Sequence, residues 1–236
     1  PEIAAKGMVS GPEKLASEAG LSMLKRGGNA VDAAVATGLA LAVTLPRAGN
    51  LAGGGFMLVH LAKTDEQVFI DYREMAPASA SRDMFLNEDG TVNKQMAYNS
   101  PSAAGIPGTV AGMIHALENY GTLDLKTVIQ PAIELAEQGF RVPAALHLNL
   151  RAATKRLARN EEANRIYLAG TGTAPAMGSL FKQPDLAATL KRISDNGTDG
   201  FYKGKTAALI VEEMQRNGLN FGFCTCFSTS SKLTSL

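Results

Sequence analysis

Arg73 is the residue with the clearest chemical potential in this sequence. It follows a predicted strand and stands between two acidic residues, Asp71 and Glu74. A guanidinium group can hold a substrate carboxylate through two parallel hydrogen bonds. It can equally form a structural or surface ion pair with one of its acidic neighbours. The residue types alone leave both interpretations open.

Three consecutive glycines, Gly53 to Gly55, precede the same pair of strands. Glycine allows either a close approach of two backbones or a positive φ angle. A phosphate-binding loop would carry Gly-Lys-Ser/Thr and lead into a helix, whereas this run leads into a strand. We therefore expect a backbone role, in which amides are brought near a substrate or a neighbouring chain.

The remaining reactive side chains form no catalytic pattern. The three histidines, His60, His115 and His147, are far apart, and none has a serine or cysteine in a recognisable motif. The two cysteines, Cys224 and Cys226, are too few to hold a structural zinc ion. The residues thus predict no metal site, no disulfide framework and no nucleophile–base pair within the chain.

The hydrophobic pattern predicts a helix-rich α/β protein with one hairpin. Apolar residues make up 45% of the 236 residues, enough for a substantial core. Predicted strands at 56–61 and 67–72 form the hairpin, and a polar loop follows to about residue 107. Because a lone two-stranded ribbon is marginal in water, we expect the chain to be part of a larger structure. The predicted helices span 12–26, 29–45, 109–120, 125–138, 143–159, 184–195 and 205–216.

Charge and hydropathy exclude several classes of protein. The net charge of +1 provides no electrostatic surface for nucleic acid. No apolar segment reaches the roughly 18 residues of a membrane span, and the first residues show no signal-peptide pattern. The composition alone leaves the function open.

Several motifs, in this order and spacing, closely resemble the N-terminal part of the γ-glutamyltranspeptidases, also called glutathione hydrolases. The resemblance reaches about residue 218, over nine-tenths of the chain. The motifs are 27–36, 41–46, 48–57, 71–77, 105–112, 120–121, 130–132, 201–204 and 213–218.

The resemblance implies an N-terminal-nucleophile hydrolase with an αββα sandwich, made from a precursor that cuts itself into a large and a small subunit. The first residue of the small subunit, a threonine, is nucleophile and, through its α-amine, base. It takes the γ-glutamyl group from glutathione and other γ-glutamyl compounds and passes it to water, an amino acid or a peptide. No cofactor is implied, the location is periplasmic or secreted, and Arg73 matches the arginine that binds the α-carboxylate.

The sequence also departs from the family pattern. Ala52 replaces the first glycine of the Asn-x-Gly-Gly-Gly-Gly loop, a small change. The catalytic threonine and most other substrate contacts of the family lie beyond this chain. We therefore interpret residues 1–218 as a truncated, helix-rich large-subunit portion with incomplete sheets, and residues 219–236 as an aberrant, disordered tail. The alternatives are a non-catalytic scaffold or γ-glutamyl-binding fragment, and a related cephalosporin-type acylase.

Overall fold

The computed structural model describes Ala4 and residues 6–217. Helices dominate this part of the chain, and the strands are few and short. In chain order the elements are α1 (Lys14–Lys25), α2 (Ala30–Thr44), β1 (Phe56–Leu61), β2 (Glu66–Asp71), α3 (Lys94–Asn99), a 3₁₀ turn (Pro101–Ala103), α4 (Thr109–Tyr120), α5 (Leu125–Gln138), β3 (Phe140–Arg141), α6 (Ala144–Leu157), α7 (Glu161–Tyr167), β4 (Leu180–Phe181), α8 (Pro184–Asn196), α9 (Asp199–Tyr202) and α10 (Gly204–Arg216).

The chain divides into two compact units. Unit 1 is formed by the chain up to Gly49 together with Lys126–Lys191, and unit 2 by Asn50–Leu125 together with the chain from Arg192 onward. Unit 1 therefore contains α1, α2, α6, α7, the β3–β4 ribbon and most of α5 and α8. Unit 2 contains the β1–β2 hairpin, α3, α4, α9 and α10.

Helix α2 is the core element of unit 1, and its sequence explains its start. The Asn29 side chain accepts hydrogen bonds from the backbone N–H groups of Val31 (2.8 Å) and Asp32 (3.1 Å). The Asp32 carboxylate accepts the N–H of Asn29 in return, at 2.6 Å. This reciprocal cap occupies backbone groups that the helix itself cannot pair. Most of the small apolar residues that follow are buried, but Ala34 is exposed and Gly38 and Leu41 are half-buried. The pattern predicted burial on every face, whereas the structure leaves one stripe of the helix less covered.

The hairpin of unit 2 has a regular antiparallel register. Phe56 pairs with Asp71 and Leu58 with Phe69, so these side chains share one face. The opposite face carries the buried residues Val59, Val68 and Ile70. On the first face Leu58 is 70% exposed, and the rings of Phe56 and Phe69 stack with centroids 5.6 Å apart. One face of the hairpin is thus packed and the other is apolar and open within the described residues.

The long helices confirm the sequence prediction, and the short elements correct it. The helices at 109–120 and 125–138 have the predicted bounds, and Pro131 lies inside the second. Helix α1 begins later than predicted, after a cap by Glu13. The predicted loop from 73 to 107 was wrong in part, because it contains α3 and the 3₁₀ turn. Helices α7 and α9 and the β3–β4 ribbon were not predicted. Neither α3 nor α7 buries a residue, so neither carries a periodic apolar signal.

Cys224, Cys226 and the predicted tail at 219–236 lie outside the described residues. Among the residues that are described, no helix is long and apolar enough to cross a membrane.

Candidate functional site

Arg73 lies two residues beyond the end of β2, where the chain leaves the hairpin. Tyr72 still pairs with Gly55: its N–H donates to the Gly55 carbonyl at 3.0 Å, and its carbonyl accepts the Gly55 N–H at 3.3 Å. The Arg73 N–H turns instead to the side chain of Asp71, with an N to Oδ1 distance of 2.9 Å. The last carboxylate of the strand therefore shapes the turn that presents Arg73.

The guanidinium group of Arg73 is held on one side only. Its Nε lies 3.2 Å from a carboxylate oxygen of Glu74, and its Cζ lies 5.7 Å from the centroid of the Phe56 ring. The side chain is 62% exposed, so this ion pair and cation–π contact contribute little stability. Within the described part of the chain the two Nη atoms make no hydrogen bond, and the ion pair with Glu74 runs through Nε. The structure thus shows the ion pair, with Glu74 as the partner. The binding of a substrate carboxylate by Arg73 stays a prediction.

Glycines surround the backbone of the segment that carries Arg73. A Cβ on Gly54 would lie 2.6 Å from the backbone nitrogen of Glu74, and one on Gly105 would lie 2.7 Å from the Glu74 Cβ. A Cβ on Gly108 would overlap the carbonyl oxygen of Tyr72. None of these three glycines has a positive φ. Of the two roles left open by the sequence, close backbone approach is therefore the one the structure shows.

The Asn50 side chain joins the glycine loop to the start of α4. Its Oδ1 accepts the Gly53 N–H at 2.7 Å and the Thr109 hydroxyl at 2.9 Å. The Gly53 carbonyl in turn accepts the backbone N–H groups of Gly108 (2.7 Å) and Thr109 (3.0 Å). The loop is thus tied to a helix start 59 residues further along the chain.

Sequence reasoning proposed Arg73 as a site residue, which stays a prediction, and missed Asn50 and Thr109 as the residues that fix the surrounding loops. Their separation along the chain hides the contact. The available signal was the repetition of glycines before the hairpin and again at Gly105 and Gly108, since two glycine-rich segments often mark a place where backbones touch.

Each of the three histidines lies near a polar partner. His60 Nε2 lies 4.0 Å from Asp65, the His115 ring lies 3.3 Å from Asn119, and His147 Nδ1 lies 2.8 Å from the carbonyl of Pro175. Within the described residues none of them is hydrogen-bonded to a serine, threonine or cysteine side chain. The same part of the chain contains no group of three His, Cys, Asp or Glu residues placed to hold a metal ion.

Comparison with known proteins connects this geometry to a family. Residues 16–226 match the family model described as gamma-glutamyltranspeptidase. The glutathione hydrolase proenzyme of Escherichia coli (strain K12) is 47% identical over 218 residues, which cover 92% of this chain and 37% of that protein. The chain therefore spans little more than a third of the length of this relative.

Solved structures agree with the sequence match. The gamma-glutamyltranspeptidase of Helicobacter pylori superposes with a TM-score of 0.92 at 38% identity, over all of this chain and 70% of that chain. A cephalosporin acylase from Bacillus halodurans superposes with a TM-score of 0.78 at 26% identity, over 92% of this chain and 41% of that chain.

The fold is therefore a helix-rich α+β portion of an N-terminal-nucleophile hydrolase, with small incomplete sheets. The chain belongs to the γ-glutamyltranspeptidase family and corresponds to part of its large-subunit region.

Proposed function

We propose that this chain is the N-terminal part of the large subunit of a γ-glutamyltransferase that also acts as a glutathione hydrolase. In this proposal its donors are glutathione and other γ-glutamyl compounds. The acceptor is water, an amino acid or a peptide. The enzyme acts in the periplasm or outside the cell.

The open edge of Arg73 is the observation that carries the proposal. Glu74 pairs with the Nε of this group, and the two Nη atoms make no hydrogen bond within the described residues. A guanidinium edge of this kind matches the two oxygens of a carboxylate. Arg73 would hold the α-carboxylate of the γ-glutamyl group and so fix the position of the amide to be cut.

The chemistry itself would come from the small subunit of the same precursor. The hydroxyl oxygen of its N-terminal threonine attacks the γ-carbonyl carbon, and the α-amine takes the hydroxyl proton. The C–N bond breaks as that proton passes to the leaving nitrogen. The resulting γ-glutamyl ester is then released by water or by an acceptor amine. This scheme requires no metal or organic cofactor.

The open apolar face of the hairpin is evidence that a partner subunit covers it. Phe56 is 53% exposed and Leu58 is 70% exposed on this face, and the hairpin forms a sheet of only two strands. Both features call for further strands and a covering layer. The small subunit of the precursor is the partner we propose.

A cephalosporin-type acylase is the second candidate, because an enzyme of that kind shares the fold. A glutaryl group carries the same terminal carboxylate as a γ-glutamyl group but lacks its α-ammonium. The Glu74 carboxylate, next to the guanidinium, offers an opposite charge to that ammonium. The γ-glutamyl donor is therefore favoured, and comparing turnover of γ-glutamyl and glutaryl amides by the intact enzyme separates the two candidates.

Substitution of Arg73 in the intact precursor tests the proposal. Lysine keeps the charge but loses the two-pronged geometry, and alanine loses both. Loss of a buried, paired arginine–carboxylate contact costs about 2–5 kcal/mol. We expect Arg73→Lys to raise the KM for a γ-glutamyl anilide substantially and Arg73→Ala to raise it further, in steady-state kinetics.

Arg82 provides the matched control, because its side chain is 96% exposed and it too lies beside an acidic residue, Asp83. Arg82→Lys and Arg82→Ala should leave the KM unchanged. Unaltered kinetics in both Arg73 variants would remove Arg73 from the site.

A further inference from the structure

The first turn of α4 lacks a side-chain cap, because the packing around Arg73 requires a glycine at the capping position. The residue before the helix, Gly108, has no side chain with which to cap it. A larger residue there would force the backbone to move, because any Cβ would overlap the carbonyl oxygen of Tyr72. Since the first backbone N–H groups of a helix have no partner within the helix, they need acceptors from elsewhere.

A hydroxyl from a distant part of unit 2 supplies one of these acceptors. The Tyr202 Oη accepts the N–H of Ala111, in the first turn of α4, at 3.2 Å. The same hydroxyl donates to the carbonyl of Pro107 at 3.0 Å. One phenol thus holds the residues on both sides of Gly108, although 91 residues separate it from Ala111.

The protonation state of this phenol suits the role. Burial raises the pKa of Tyr202 to about 12, against a smaller lowering by the Ala111 N–H. The hydroxyl therefore keeps its proton at physiological pH. It remains able to donate to Pro107 while accepting from Ala111.

We propose that Tyr202 is a positioning residue for Arg73, acting through the 107–111 segment. Its hydroxyl fixes Gly108 against the carbonyl of Tyr72, and the peptide unit from Tyr72 leads directly into Arg73. The inference rests on the proposed function, because it assumes that Arg73 binds the donor carboxylate.

The variant Tyr202→Phe in the intact precursor tests this role. Phenylalanine keeps the ring, which packs edge-on against Phe201 at 5.1 Å, and removes only the hydroxyl. A misplaced Arg73 weakens donor binding but does not touch the reacting atoms. We expect the KM for a γ-glutamyl anilide to rise about fivefold, the effect of one lost helix cap, with kcat nearly unchanged.

Two comparisons separate positioning from general stability. γ-Aminobutyryl anilide lacks the α-carboxylate, so its KM should be the same in Tyr202→Phe and in the unsubstituted enzyme. In an Arg73→Ala background, Tyr202→Phe should add nothing to the KM for the γ-glutamyl donor. Tyr167→Phe is the matched control: it removes the hydroxyl of another half-buried tyrosine, one that makes no hydrogen bond within the described residues, and should leave both KM values unchanged.

Each outcome supports or overturns the inference. A lower melting temperature with unchanged KM values, or an equal rise in KM for both donors, would show that Tyr202 is only structural, while the Arg73 result would still stand. No cleavage of γ-glutamyl anilide by the unsubstituted precursor, or no effect of Arg73→Ala, would overturn the proposed function and this inference together. Amide hydrogen exchange gives a reading that needs no turnover: the Ala111 N–H should exchange faster in Tyr202→Phe than in Tyr167→Phe.

Discussion

Gly108 shows how strongly the position of Arg73 depends on single residues around it. Its missing side chain allows the start of α4 to touch the Tyr72 backbone, and its N–H donates to the Gly53 carbonyl at 2.7 Å. The position of the segment that carries Arg73 therefore depends on the absence of a side chain at Gly108.

The substitution Gly108→Ala should destabilise the chain. The new Cβ would overlap the Tyr72 carbonyl oxygen, so backbone must move, and overpacking of this kind costs about 1–3 kcal/mol. Urea unfolding measures the change in the free energy of unfolding. Gly7→Ala is the control, because its Cβ would meet only the flexible end of Leu24, at 3.3 Å. Equal unfolding midpoints for the two variants would show that the segment yields without cost.

Arg73 could be predicted from sequence because a strand end and two acidic neighbours are local features. The partner of its side chain could not be predicted, since Asp71 and Glu74 were equal candidates. In the structure the Asp71 carboxylate accepts the backbone N–H of Arg73, and Glu74 pairs with the Arg73 Nε. The contact between Asn50 and Thr109 depends on how loops 59 residues apart meet. A contact of this kind cannot be predicted from the local sequence.

Among the elements, α2 shows the best agreement between sequence and structure. Asn29, Asp32 and a run of small, mostly apolar residues predict a capped helix buried on every face. The structure contains the cap and most of the burial, with Ala34 left exposed. The short helices were missed for the opposite reason. Helix α3 buries no residue, and α9 has only four residues, so neither has an apolar period to detect.

Two helices with an asparagine cap, one buried and one exposed, allow the contribution of a cap to stability to be compared. Asn29 caps the buried α2, and Asn93 caps the exposed α3. Asn29→Ala should lower the free energy of unfolding by about 1 kcal/mol or more, because the buried helix cannot fray without exposing the core. Asn93→Ala should change it by only a few tenths of a kcal/mol. Thermal melts of both variants test the ranking, and a larger loss for Asn93→Ala would contradict it.

At the scale of the whole molecule, the chain is a helix-rich portion of the fold with small, incomplete sheets. It spans 37% of the length of its E. coli relative, and its described strands form only two-stranded ribbons. The sequence predicted the unfinished sheet from the single hairpin. It could not indicate the β3–β4 ribbon, whose strands have two residues each.

The chain alone should not cleave a γ-glutamyl anilide. In the proposed mechanism the nucleophile and base belong to one N-terminal threonine of the small subunit, and an internal threonine has no free α-amine. The assay uses the 236-residue chain, expressed in a host without its own γ-glutamyltranspeptidase, and the intact precursor as positive control. Reproducible turnover proportional to the amount of chain would mean that one of its own residues is the nucleophile. Binding of a γ-glutamyl compound without turnover would favour the γ-glutamyl-binding fragment.

The distance along the chain between Ala111 and Tyr202 has a consequence for biosynthesis. A ribosome adds about 5–20 residues per second, so the 91 residues between them take roughly 5 to 20 seconds to emerge. During that interval the hairpin is already outside the ribosome and α4 is emerging, while the Tyr202 hydroxyl has not yet emerged. The nascent chain must therefore pass through a stage in which Arg73 is present but its support is incomplete. Closing this loop costs entropy, and the contact can form only after residue 202 has emerged.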